Sequence, residues 1–114
     1  LITSKNIPEL ENTLPRLGIA PYVDFIVSAD HVQNPKPDPE GIRLACSHFG
    51  LTPTQIAEAV YIGDTTHDMQ AGGGAGVRPI GVTWGAATVE RLHAENPAAI
   101  ATTPQELRTL LFGE

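Results

Sequence analysis

The sequence predicts an α/β domain with a mostly parallel sheet. Three observations carry this. Short apolar runs, rich in β-branched and aromatic residues, alternate with segments whose apolar residues recur every three or four positions. The linkers between these runs are only a few residues long. The 114 residues, 41% apolar and 18% charged, are ordinary globular material, enough for one small domain and one modest core. Alternating strands and helices with short links favour parallel strands covered on both faces of the sheet.

In chain order, residues 1–2 read as the stub of a buried strand ending at Thr3 and Ser4. "NIPELENTLPRLG" spaces Ile7, Leu10, Leu14 and Leu17 at helical intervals, with Asn6 as cap, Pro8 in the first turn and Gly18 as stop. Pro15 is expected to kink or shorten this helix. "FIVSAD" is a second short strand, and "HVQNPKPDP" a proline-stiffened loop. Residues 40–49 form a helix with Ile42, Ala45, Cys46 and Phe49 on one face and Gly50 as its stop. "LTPTQ" opens a further helix, with Thr52 as N-cap before Pro53. Residues 60–62 are the third strand, followed by a helix after Thr65. "RPIGVTW" supplies a fourth strand, "TVERLHAE" a helix and "AAIAT" a fifth strand. "TPQELRTLLF" is the last helix, capped by Thr103 with Pro104 at its first position.

Bulk properties exclude several classes. A net charge of −6, with seven scattered basic residues, offers no surface for nucleic acid or an anionic membrane. No apolar run approaches the ~20 residues of a membrane span. The single cysteine, Cys46, rules out an internal disulfide framework and fits a reducing, cytoplasmic setting. Its place on an apolar helix face makes it a buried small hydrophobe.

In parallel α/β sheets, ligands bind beyond the carboxyl ends of the strands. Thr3, the Lys36 loop and Asp64 all lie just past predicted strands, so parallel strands bring them to one edge. Asp64 and Asp68 stand four residues apart in "GDTTHD". One reading is local: Asp64 or Thr65 caps the next helix, and an acidic first turn is favourable. The other is a metal site, because two close carboxylates repel unless a cation is near. Mg²⁺ suits one or two carboxylates completed by waters and phosphate oxygens. Lys36, held between prolines, strengthens the second reading by adding a fixed cation at the same edge.

In this order, "LITSKN", "NPKPDPEG", "VYIGDTTHDMQAGGGAG" and "GVTWG" closely resemble the haloacid dehalogenase-like hydrolase superfamily, and within it the phosphoglycolate phosphatase branch. The resemblance runs from Leu1 to the end of the chain. It implies a Rossmann-like, doubly wound and mostly parallel sheet, with residues 1–114 as the C-terminal portion of the core domain. It also implies a Mg²⁺-dependent phosphatase acting on a small phosphorylated metabolite through an aspartyl-phosphate intermediate. By the same resemblance, Thr3 hydrogen-bonds a phosphoryl oxygen, and Ser4 adds a backbone N–H to the phosphate site. Lys36 offsets charge on nucleophile and phosphate, and Asp64 is the Mg²⁺ ligand. Asp68 is the second acid of the metal motif, holding metal-bound water or orienting Lys36. Phosphoryl transfer asks little beyond such positioning and positive charge. Alternatives are a haloacid dehalogenase or phosphomutase on this fold, or a non-catalytic binding module.

The family's first motif, an Asp-x-Asp that carries the nucleophile, does not occur in the chain. The expectation is therefore that an upstream segment and a cap domain, which in the family selects the leaving group, belong to the same protein. Residues 1–114 alone are then expected to be inactive, and poorly stable with two inner strand edges unpaired. In "AGGG", each glycine costs about 1 kcal/mol relative to alanine within a helix. Either that helix frays early or the glycines permit close packing. His67, between the aspartates, reads as exposed or as a neighbour of the metal shell, since Mg²⁺ prefers oxygen. Trp84 reads as a packing residue.

Overall fold

The computed structural model describes residues 1–114. Helix α1 (Ile7–Leu17) leads, followed by 3-10 turns at Ala20–Tyr22 and Ala29–His31. Then come α2 (Glu40–His48), α3 (Pro53–Glu58), β1 (Val60–Gly63), α4 (Thr66–Ala75), β2 (Arg78–Val82), α5 (Val89–Ala94), β3 (Ala99–Ala101) and α6 (Pro104–Phe112). The three strands form one parallel sheet in the order β1-β2-β3, with Ile62 opposite Ile80 and Ile80 opposite Ala99. The predicted α/β class with parallel strands is what the chain adopts.

Local chemistry starts and stops the helices. Asn6 with Glu9 and Thr52 with Gln55 form reciprocal capping boxes. Thr103 caps α6, with Pro104 in its first turn. Gly18 and Gly113 end α1 and α6 in left-handed conformations, at φ 66° and 74°. Pro15 does not shorten α1, which runs on to Leu17. The proline sits on the exposed side of the last turn, where its fixed φ is already helical and the lost hydrogen bond faces water.

The first two predicted strands are much reduced. They meet in a single parallel bridge, Ile2 with Val27, and the expected end of "FIVSAD" is the 3-10 turn at Ala29–His31. Hydrogen bonds Val27 N–H to Leu1 O and Thr3 N–H to Val27 O, both 2.9 Å, hold this pair. The bridge is not joined to the three-stranded sheet.

An open apolar groove of about 480 Å³ lies beside β1, lined among others by Ile2, Ile42, Cys46, Val60 and Ile62. Strands of parallel sheets are normally buried on both faces. Val60 and Ile62 are nevertheless 37% and 40% exposed. The second edge of β1 is unpaired, as expected from the sequence. The core proper gathers Ile42, Cys46, Ala71 and Val77, with Tyr61 and Ile56 packed against it. Burial of Cys46 pushes its thiol pKa up, as suits an inert small hydrophobe.

Helix α4 runs unbroken through "AGGG". Gly72 is the packing glycine: a Cβ there would lie 3.3 Å from the Pro79 ring on β2. Gly73 faces open space. Of the two readings of this segment, close packing holds at Gly72, and the helix keeps its geometry through to Ala75. No helix is long and apolar enough to cross a membrane.

Candidate active site

The centre of the site is an ion pair. Lys36 Nζ donates to Asp68 Oδ1 at 2.8 Å, joining residues 32 positions apart in the chain. Lys36 reaches it from the proline-bounded loop that precedes α2, and Asp68 from the first turn of α4. Their side chains are 19% and 7% exposed. At this depth a charge is costly unless it is paired and hydrogen-bonded.

Asp68 is satisfied on every side. Its Oδ2 accepts from Asp64 N–H at 3.1 Å, Thr65 N–H at 3.2 Å and Thr65 Oγ1–H at 2.8 Å. Its Oδ1 takes Lys36 and, at 3.4 Å, the Tyr61 hydroxyl. In return, Asp68 N–H donates to Thr65 Oγ1, completing a capping box on α4. The local capping explanation of this loop is therefore true of Thr65 and Asp68, but incomplete. A cap alone has no need of a lysine from a distant loop.

Burial works to raise the Asp68 pKa, but hydrogen bonds from Lys36 and Thr65 and the Lys36 charge outweigh it, leaving it lowered. Burial likewise works to lower Lys36, and the hydrogen bond to Asp68, with the electrostatic influence of Tyr61 and of the Asp68 carboxylate, leaves it raised. Both groups are held in their charged forms. Burial pushes the Tyr61 hydroxyl pKa up, against the opposing Lys36 charge, so it remains a neutral donor.

Asp64 follows directly on β1 and is differently placed. Its Oδ2 accepts from Ala86 N–H at 3.0 Å, and its backbone carbonyl accepts from Ala87 N–H at 3.0 Å. Its Oδ1 has no protein donor. The half-buried Asp64 thus keeps one carboxylate oxygen without a protein donor, while Asp68 has both oxygens engaged inside the protein.

Thr3, Ser4 and Lys36 line one small cavity of about 40 Å³, which the Ile2–Val27 bridge also borders. Thr3 Oγ1 accepts from Lys5 N–H at 3.1 Å, leaving its hydroxyl hydrogen free to donate. The predicted residues form a continuous arc: Thr3 and Ser4, then Lys36, then Asp68, then Asp64. His67 is exposed. Trp84 is 49% exposed, so packing within the chain covers only about half of a residue expected to pack.

No three His, Cys, Asp or Glu side chains converge into a ready-made metal shell. The donor set still fits Mg²⁺, which takes one or two carboxylates and draws its other oxygens from water and phosphate. Asp64, whose Oδ1 has no protein donor, is the carboxylate of this set that could take such an ion.

Tyr61 and Gly85 were not singled out by the sequence reading. Tyr61 had a signal, a phenol tip alternating in register with Gly63 on a buried strand, which points it at the same helix as Asp68. Gly85 had none, because its partner lies 21 residues earlier, across the sheet edge.

Residues 1–82 match the haloacid dehalogenase-like hydrolase family. The chain is similar to pyrophosphatase PpaX of Bacillus velezensis, 38% identical over 97 residues, covering 85% of this chain and 44% of that protein. It is also similar to phosphoglycolate phosphatase of Salmonella paratyphi A, 36% identical over 100 residues, covering 88% of this chain and 38% of that protein. The chain thus spans less than half the length of these curated relatives. A HAD family hydrolase from Deinococcus radiodurans R1 shares the fold, with a TM-score of 0.84 at 22% identity over 96% of this chain and 49% of that one.

Proposed function

The chain belongs to the haloacid dehalogenase-like hydrolase family, and from that premise we propose that it is part of a Mg²⁺-dependent phosphatase for a small phosphorylated metabolite such as 2-phosphoglycolate. The observation that carries this reading is the Lys36–Asp68 pair beside a hydroxyl-lined cavity, with the free Asp64 oxygen at the end of the same arc. Phosphatases among its relatives support the reaction class.

In this reading, the Thr3 hydroxyl donates to a phosphoryl oxygen and the Ser4 backbone N–H adds a second donor. Lys36 supplies fixed positive charge toward the same oxygens. Asp68 is a positioning residue, holding the Lys36 ammonium on one oxygen while Asp64 and Thr65 anchor the other. Asp64 holds the metal, which when bound neutralises charge on the phosphoryl oxygens. A dehalogenase has no phosphate to neutralise, so the paired aspartates favour phosphoryl chemistry.

The nucleophile in this scheme is an aspartate of the Asp-x-Asp type, on an apolar strand of the same protein seated against the open edge of β1. The exposed Val60 and Ile62 and the apolar groove support that placement. Residues 1–114 by themselves are then inactive.

The test is phosphate release from 2-phosphoglycolate by the complete protein, with and without Mg²⁺, beside Asp64→Asn. Metal-dependent turnover that the variant loses is expected. Turnover on other phosphate esters only would keep the mechanism and change the substrate. Inactivity on every phosphate ester would refute the phosphatase reading.

A further inference from the structure

The loop between β2 and α5 lies directly against Asp64. Ala86 N–H holds Asp64 Oδ2, and Ala87 N–H holds the Asp64 carbonyl, each at 3.0 Å. Between Trp84 and Ala86 stands Gly85, and its lack of a side chain has a specific consequence. A Cβ built there would run into Asp64 Oδ2 and Cβ and lie 2.6 Å from Asp64 Cγ, all far inside van der Waals contact. The backbone does not demand glycine, because Gly85 is outside the left-handed region where φ favours it. The side chain of Asp64 is what excludes a larger residue.

The same arrangement recurs at the other acid. A Cβ on Gly63 would lie 2.5 Å from Asp68 Cγ and 2.6 Å from Asp68 Oδ2. Each carboxylate of the site is seated over its own glycine. Gly63 is on the strand beneath Asp68, whereas Gly85 comes from a separate bend across the sheet edge.

We propose that the Trp84–Ala87 bend is a clasp that sets the orientation of the Asp64 carboxylate, with Gly85 as a positioning residue for divalent-cation binding. The clasp fixes Oδ2 on the Ala86 N–H and leaves Oδ1 without a protein donor. Adding a methyl at residue 85 forces one of two changes. Either the Asp64 side chain leaves its place, or the bend retreats and the Ala86 hydrogen bond breaks. Both remove the preset orientation, and partners that orient a metal ligand are typically worth 10–100-fold in affinity. The inference rests on the reading of Asp64 as the metal ligand.

Direct binding separates the two claims. Mn²⁺ is titrated into the complete protein and free ion is followed by electron paramagnetic resonance, for wild type, Asp64→Asn and Gly85→Ala. The expected result is loss of the site in Asp64→Asn and at least tenfold weaker binding in Gly85→Ala. In turnover, Gly85→Ala should raise the Mg²⁺ concentration for half-maximal rate by a similar factor, with much of the rate restored at saturating metal. A merely structural role would lower the rate at every metal concentration. Wild-type affinity in Asp64→Asn would overturn the metal reading itself. Wild-type affinity in Gly85→Ala, with Asp64→Asn still defective, would overturn the clasp alone. Where Gly85→Ala does not fold, Ala86→Pro carries the same test, because it deletes the N–H that holds Oδ2 without adding a Cβ at residue 85. Unchanged Mn²⁺ binding in that variant would equally overturn the clasp.

Discussion

Removing either partner of the Lys36–Asp68 pair should destabilise the protein by very different amounts. Asp68→Ala removes the half of the α4 capping box in which its carboxylate takes the Thr65 N–H, worth about 1 kcal/mol. It also leaves the Lys36 ammonium without its counter-charge. Breaking a buried pair this way costs about 3–5 kcal/mol, and the lower figure applies because Lys36 is 19% exposed and can turn to water. The expected loss is about 4 kcal/mol. Lys36→Met removes only one of the donors to Asp68, which keeps three on Oδ2 and Tyr61 on Oδ1. One hydrogen bond to a charged group is worth about 1.5–3 kcal/mol, and the remaining donors favour about 2. Urea unfolding of the complete protein reads both variants at an unchanged m-value, and the double variant gives the coupling energy. Equal losses in the two single variants would refute the reasoning. They would mean that Asp68 is held by the lysine charge and not by the turn that opens α4.

Other outcomes follow from the same geometry. Gly73→Ala should stabilise the protein by about 1 kcal/mol, seen as a Tm higher by a few degrees, because the added methyl meets nothing. Gly72→Ala should gain less or lose, because the Pro79 ring must move to admit the methyl. The pH dependence has a definite sign. The lowered pKa of Asp68 gives stability that is full above the unfolded value of about 3.9 and fades as pH falls through the folded value. Asp68→Asn should therefore flatten the acid limb of a Tm-against-pH curve. The raised pKa of Lys36 gives stability that is full below about 10.4 and is lost as pH rises through the folded value, so Lys36→Met should flatten the alkaline limb.

Much of this protein is decided locally and is legible in its residues. Asn6, Thr52 and Thr103 start helices because a side-chain oxygen reaches an N–H three residues ahead. The parallel strands follow from short apolar runs separated by helical ones, and the order of Thr3, Lys36, Asp64 and Asp68 is written in the chain. Two local expectations did not hold, the shortening of α1 at Pro15 and the extent of "FIVSAD". A proline on the wet side of a last turn breaks little, and a strand with one partner shortens to a bridge.

What the sequence left open concerns which groups meet. Asp68 had two possible duties, and contacts from residues 32 and 25 positions away in the chain now tie Lys36 both to Asp68 and to Tyr61. Gly85 reads as one more loop glycine until the fold brings it under Asp64. The groove beside β1 likewise appears only when the strands are assembled, since Val60 and Ile62 read as core from their type alone. Capping and periodicity act within about one turn of chain, so composition and spacing reveal them. Contacts between the ends of separate strands depend on how the sheet packs its helices, and only the folded molecule decides them.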